Sequence, residues 1–283
     1  MKKILLLGDR GKIGYAMNYI LKDKYEIVGK NTDNYNALND YVTERIIDEI
    51  KPDIVINCIG LTSTDKCEYN PLKAYKLNTL LPRTLAILSN KYNFTLIHFS
   101  TDAVFDGKSG DYYSEWNYPN PLSIYSMTKL NADTYISNIA KKYYILRLSL
   151  IFGYSPKPSS FVEHMMDKAV NGKVLYIADD LIRSPTYNLD VAREVEYFLE
   201  DNKPYGLYHV ASKGATSLYD LILKVVKDFE LDINVHRASY KDFPFSNYKH
   251  VCTPLTSYKI RPLRHWTFGL NEYIMRLNSD KEE

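Results

Sequence analysis

An α/β protein, built on a doubly wound parallel sheet of Rossmann type with a smaller C-terminal α/β lobe, is the fold this sequence predicts. Three observations lead there. Short continuous apolar runs end in glycine or small polar residues, as in strands buried on both faces. Segments with helical apolar spacing alternate with those runs at short intervals, which implies parallel strands joined by helical crossovers. A glycine-rich turn follows the first run and opens the first helical segment.

In order, residues 3–8 form the first strand and 13–21 take helical spacing. A second strand covers 25–29, and 41–50 place Val42, Ile46, Ile47 and Ile50 on one helical face that Pro52 terminates. Residues 53–60 (DIVINCIG) form a third buried strand, 72–88 are helical despite Pro82, and 94–99 form a fourth strand running into Ser100 and Thr101. A helix over 124–139 and a fifth strand over 144–152 complete the alternation. The rhythm then changes. Residues 153–160 are rich in Pro and Ser and read as a loop before a helix over 161–170. Strand-like pieces at 174–178, 206–210 and 233–237 alternate with helices at 189–199 and 218–229, and 279–283 form a polar end. The expected division is 1–152 as a dinucleotide-binding domain and 153–283 as mainly a substrate lobe, with some segments packing back on the first.

Composition bounds the function. With 283 residues, 45% hydrophobic and 25% charged, the chain suits a globular protein. A net charge of +2 gives no push toward nucleic acid or a membrane surface. The N-terminal apolar run breaks at Gly8 and Asp9, too short for a signal peptide. Cys58, Cys67 and Cys252 lack C-x-x-C or histidine spacing and read as free thiols of a reducing cytoplasm, and the six histidines give no metal spacing.

Gly8, Gly11 and Gly14 form G-x-x-G-x-x-G between strand and helix. The first permits a tight turn, the second a close approach to pyrophosphate, and the third close helix–strand packing, with the phosphates meeting the helix N-terminus. NAD sites usually place a carboxylate at the end of the second strand. Here Lys30 and Asn31 stand there, and Arg10 sits within the turn, so a 2′-phosphate and hence NADP is favoured over NAD, against the nearby Asp9 and Asp33.

Tyr125 and Lys129 lie four apart on a predicted helix, so they share a face. With 26 tyrosines, about two such pairs arise by chance, and the chain has a second at Tyr69 and Lys73. What distinguishes Tyr125 is the strand ending in Ser100 and Thr101 upstream. Hydride reduction of a ketone needs a proton for the developing alkoxide, and a phenol can deliver it. Bringing a phenol from near 10 to near 7 takes roughly 4 kcal/mol, which a lysine ammonium would supply by charge. A hydroxyl from Ser100 or Thr101 would hold the carbonyl oxygen. Arg183 is a candidate clamp for a pyrophosphate, and His98 and His209, inside strand-like runs, read as satisfied core residues.

The sequence resembles an extended short-chain dehydrogenase/reductase, and within that group is most similar to the dTDP-4-dehydrorhamnose reductase family and its sugar-nucleotide-binding relatives. The matching stretches are GDRGKIG, KPDIVINCIGLTSTDKCEYNP, LIHFSTDAVFDG, P-x-x-x-Y-S-M-T-K from Pro121, RLSLIFG, FVEHMM, DDLIRSPTYNLDVA and YGLYHV. The resemblance implies an NADPH-dependent reductase of a nucleotide-activated 4-keto-6-deoxysugar, with Tyr125 the proton donor, Lys129 its orienter and ribose ligand, and Ser100 and Thr101 assisting. It further implies that Gly8, Arg10, Gly11, Ile13, Gly14, Cys58, Ile59, Gly60 and Asn78 serve the cofactor, to which Lys12 in the turn and Lys30 at the end of the second strand are added as expected contacts. Thr101, Asp102, Val104, Phe105 and Arg183 would meet substrate. Another nucleotide-linked keto sugar remains an alternative, as do a non-catalytic regulatory subunit of the same fold and an epimerase or dehydratase, for which only Asp102 beside Thr101 could serve as extra acid or base. A homodimer is compatible with the resemblance. Some members carry a glutamate of a magnesium-linked dimer where this chain has Ala16, which argues against that dimer. Ser160, Tyr248 and Lys249 also depart from the family pattern in the substrate half.

Overall fold

The computed structural model describes residues 1–156, 160–243 and 250–279. Tyr248 and Lys249, part of the predicted 153–160 loop and the last residues of the polar end lie outside them.

The elements follow as β1 (Lys3–Leu7), α1 (Lys12–Leu21), β2 (Glu26–Lys30), α2 (Asp40–Ile50), β3 (Ile54–Asn57), α3 (Thr64–Tyr69), α4 (Pro71–Tyr75), a π-helical turn (Lys76–Leu80), α5 (Leu81–Tyr92) and β4 (Thr95–Thr101). Then come α6 (Ile124–Ile139), β5 (Tyr143–Leu148), β6 (Ile151–Phe152), α7 (Phe161–Val170), β7 (Leu175–Ala178), β8 (Ile182–Arg183), β9 (Thr186–Tyr187) and α8 (Asn188–Glu200). The chain finishes with β10 (Gly206–His209), β11 (Ser212–Lys213), β12 (Thr216–Ser217), α9 (Leu218–Asp228), β13 (Val235–Ala238), β14 (Leu263–His265) and α10 (Trp266–Ser279).

Six strands form one parallel sheet in the order β10-β5-β4-β3-β1-β2. Strand alternation explains why helices cover both faces. On β1, Ile4 and Leu6 join one core with Ala16 and Met17 of α1 and Val191 and Val195 of α8. Leu5 and Leu7 enter the other, with Ile46 and Ile47 of α2, Leu85 of α5 and Ile136 of α6. The chain turns back across itself between β1 and β3. Their carboxyl ends open the crevice where ligands of such sheets bind.

The predicted fifth strand is really two. Leu150 takes a left-handed φ of 36° and breaks it, so that β6 leaves the sheet and pairs with β9. The sequence reading missed α10, which buries Trp266, Leu270, Tyr273 and Ile274; their i, i+4, i+7, i+8 spacing was the available signal. The predicted helix over 72–88 is interrupted by the π turn, and α3, capped by Ser63, precedes it. Ala16 is fully buried in the α1–α8 interface core, so it offers no surface for a metal-linked contact.

Candidate active site

The glycine turn is built as the spacing demands. Gly8 has φ 84°, and a Cβ there would stand 3.1 Å from the Cys58 carbonyl carbon. A Cβ on Gly14 would come within 2.1 Å of the Gly8 oxygen, so a larger residue would push α1 off the turn. The Gly8 N–H donates to Lys30 O (2.7 Å), tying the turn to the end of β2, and Gly11 N donates to Gly8 O (3.0 Å). No side chain caps the start of α1, which leaves its first-turn amides available to an anion.

Above this turn lies a cleft of about 380 Å³. One wall carries Gly11, Lys12 and Ile13, the floor Asn57, Cys58, Ile59, Gly60 and Asn78, and the far wall Ser100, Thr101, Asp102, Tyr125 and Lys129. It shares Gly11, Cys58, Ile59 and Gly60 with a second hollow of about 700 Å³ that runs past Gly8, Arg10, Asn31, Asp33 and Tyr35. Together they form one groove across the switch point, long enough for an extended ligand. Asn78, in the π turn, is fully buried and brackets the Leu61 peptide: its Oδ1 accepts from Leu61 N (2.8 Å) and its Nδ2 donates to Leu61 O (3.0 Å). π-helical turns recur at functional sites because they re-aim one side chain out of helical register.

The far wall comes from β4 and α6. Ser123 and Ser126 form a capping box that fixes the start of α6 one turn before Lys129. Tyr125 is half-buried, and its phenol interacts with the Thr101 side chain. Burial raises its phenol well above the ordinary value; the Thr101 interaction works the other way, and the Asp102 charge adds to the rise. Lys129 is buried, which lowers its amine to about 8 against the smaller opposing pull of Asp133. The structure therefore departs from the simple expectation that Lys129 depresses Tyr125. The Lys129 nitrogen is held by His98 Nε2 (3.0 Å) and the Phe99 carbonyl instead.

Ser100 and Thr101 part company. The Ser100 hydroxyl donates to buried Asp133 (2.9 Å), which also binds Arg147 (3.1 Å). Thr101 is the hydroxyl that meets Tyr125. Asp102 lines the cleft, but its carboxylate already accepts from Ser149 (2.9 Å), Thr253 (2.8 Å) and Thr101 (3.2 Å) and pairs with Arg183 (3.5 Å). A carboxylate so engaged is a poor acid or base, which weighs against the epimerase or dehydratase alternative.

Several predicted site residues are placed elsewhere. The Arg183 guanidinium donates to the carbonyls of Ile182 (2.7 Å), Val251 (3.1 Å) and His250, so it pins a chain crossing and leaves no fork for a pyrophosphate. The side chains of Val104 and Phe105 are fully buried with Tyr113, Ala211 and Leu255 and belong to the core. Arg10 is at the groove but pairs with Asp33; Lys30 lines neither hollow, its place at the rim taken by Asn31 and Asp33. Gly14 acts beneath the turn. Lys12 reaches across the cleft to Glu163 of α7 (2.6 Å) and to the Gly153 carbonyl. Two residues that sequence reasoning left out of the site, Asn57 and His98, stand side by side on β3 and β4 directly behind Lys129. Their signal was the shared register of two strands that both end at the cleft.

The comparisons with known proteins agree with this geometry. The family described as "RmlD substrate binding domain" matches residues 1–279. The dTDP-4-dehydrorhamnose reductase of Aggregatibacter actinomycetemcomitans is 30% identical over 232 residues, 80% of this chain and 78% of that one. A crystal structure of a dTDP-4-dehydrorhamnose reductase from Clostridium acetobutylicum superposes with a TM-score of 0.91 at 30% identity, covering 98% of this chain and 99% of the other. The Bacillus anthracis reductase, solved in complex with NADP, shares the fold with a TM-score of 0.93 at 24% identity, covering 98% and 100%. By fold, groove and match along nearly its whole length, the chain belongs to the RmlD substrate binding domain family.

Proposed function

We propose that the chain is an NADPH-dependent reductase of a nucleotide-activated 4-keto-6-deoxysugar, acting in the cytoplasm, with residues 153–283 mainly holding the sugar nucleotide. The observation that carries this is the Thr101–Tyr125 pair on the wall of the cleft, across from the glycine turn. The residues fit a dinucleotide: Gly8, at a left-handed φ, and Gly14, against the Gly8 oxygen, keep the turn tight, and the α1 amides and its dipole favour a pyrophosphate. Arg10, beside the outer hollow, is the cation available to a 2′-phosphate once Asp33 releases it. NADPH, when bound, supplies the hydride. The chain's own residues then hold the sugar ketone oxygen between the Thr101 and Tyr125 hydroxyls, and the Tyr125 Oη gives up its proton to that oxygen as the alkoxide develops. Lys129, when protonated and turned toward the cleft, stabilises the phenolate left behind.

The test follows NADPH absorbance with a panel of dTDP-, UDP-, GDP- and CDP-linked 4-keto-6-deoxysugars. At least one should be reduced, with NADPH preferred to NADH. Tyr125→Phe, which keeps the ring and removes the acid, should lower the rate about 10²–10⁴-fold. An unchanged absorbance with every sugar overturns the proposal.

A further inference from the structure

Behind the cleft, Asn57, His98 and Lys129 form a chain of side chains in which every proton can be placed. Asn57 is 1% exposed, His98 fully buried and Lys129 6% exposed, so water does not relax the accounting. The Asn57 amide is oriented by the backbone: its Oδ1 accepts from the Ile59 N–H (3.1 Å), and the reversed amide would set two donors against each other. That leaves Nδ2–H facing His98 Nδ1 (3.2 Å), so Nδ1 must be the bare, accepting nitrogen. A neutral imidazole carries one N–H. It therefore sits on Nε2, 3.0 Å from the Lys129 nitrogen. An ammonium has no lone pair and would meet that N–H as a second donor; an amine accepts it and still donates to the Phe99 carbonyl.

We infer that His98 is a positioning residue which, with its tautomer fixed by Asn57, turns an N–H toward Lys129 and so biases that lysine toward the neutral amine. The surrounding charges do not reverse this. Asp133, a turn further along α6, draws the amine toward protonation but is itself bound by Arg147 of β5 and Ser100 of β4. Cys58, just past β3, is a half-buried thiol that desolvation pushes far above its ordinary range, hence uncharged. Tyr125 is likewise protonated, and the π turn contributes the neutral Asn78. Burial lowers the His98 imidazole well below its usual range, so protonation of His98 does not break the chain near neutral pH. Lys129 takes up a proton more readily once it leaves the His98 N–H for the cleft, and proton uptake is thereby coupled to its engagement there. The tautomer and the bias toward the amine stand on the geometry alone. Their catalytic consequence rests on the reductase reading.

The experiment is nitrogen NMR of the full chain labelled in histidine and lysine. At pH 7 His98 should show a bare Nδ1 and a protonated Nε2, with Lys129 titrating below the other lysines. Asn57→Ala frees the tautomer, and the Lys129 midpoint should rise by about one pH unit. In a His98→Leu background the same substitution should leave that midpoint where it was. An imidazolium or an Nδ1–H tautomer in the native protein overturns the inference, even if neither variant folds. So does an equal rise in Lys129 without His98. A failure of the sugar panel would remove the reductase reading while leaving these resonances to decide the tautomer.

Discussion

Adjacent hydroxyls at the end of β4 have separate tasks, because successive side chains of a strand point to opposite faces. Thr101 reaches the phenol of Tyr125, while Ser100 reaches Asp133 under α6. Thr101→Val should lower the reductase rate about 10²-fold by removing one donor to the developing alkoxide, and it also gives up the bonds of that hydroxyl to Asp102 and the Ala103 N–H. Ser100→Ala should spare the rate. It strips a donor from a buried carboxylate whose Oδ1 has no hydrogen-bond partner, so unfolding should become easier by about 1–3 kcal/mol with kcat nearly intact. Paired kinetics and urea titrations read both; equal kinetic damage from the two variants would contradict this division. At this scale the meeting of Ser100, Thr101, Tyr125 and Lys129 on one cleft was legible in the sequence because motif and strand end coincide. Arg183 was not. Its partners are carbonyls 67 and 68 residues away, and nothing in its neighbours in sequence announces them.

The elements that build the groove were legible wherever burial imposes a clear period. β1 and β3 are continuous apolar runs buried on both faces and α1 buries one helical stripe, and the glycine turn after β1 is a steric requirement written into residue type. Gly14→Ala tests that requirement, since the added methyl would lie 2.1 Å from the Gly8 oxygen. We expect about 1–3 kcal/mol lower stability from overpacking together with loss of detectable NADPH binding, read by thermal melts with and without the cofactor. A variant that binds NADPH normally would show that the close approach does not govern the cradle. The π turn and the break at Leu150 were not legible. Each is a local departure from regular geometry that pays off only through distant partners: Asn78 through Leu61 and Thr128, and Ser149, beside the break, through Asp102. Propensity cannot see such partners.

Over the whole molecule, the terminal helix closes the core that α1 and α8 begin, and a charge cluster fixes how it docks. Glu272 of α10 receives Arg193 of α8 (2.7 Å), Arg264 of β14 (2.6 Å) and Arg276 of its own helix (3.3 Å), while Arg193 and Arg264 also grip Asp190. Such a junction was illegible in the sequence, because it joins segments some 80 residues apart that share no motif. Partial burial would raise the Glu272 carboxyl, but the bonds and charges of Arg193 and Arg264 outweigh it and hold the group near 2. A carboxylate depressed in the folded state adds stability that is fully present above its unfolded value near 4.5, and loses it as pH falls toward 2. Because the group is partly solvent-exposed and in a network, ~1–2 kcal/mol is the expected contribution at pH 7. Glu272→Gln should remove it. The gap between native and variant unfolding free energies should be constant from pH 7 to about 5 and close progressively below the ordinary carboxylate pKa. Urea unfolding at stepped pH measures that gap. A gap that stays open at pH 2.5 would mean that the glutamine disrupts packing of α10 on α8, and that the ion cluster does not set the docking energy.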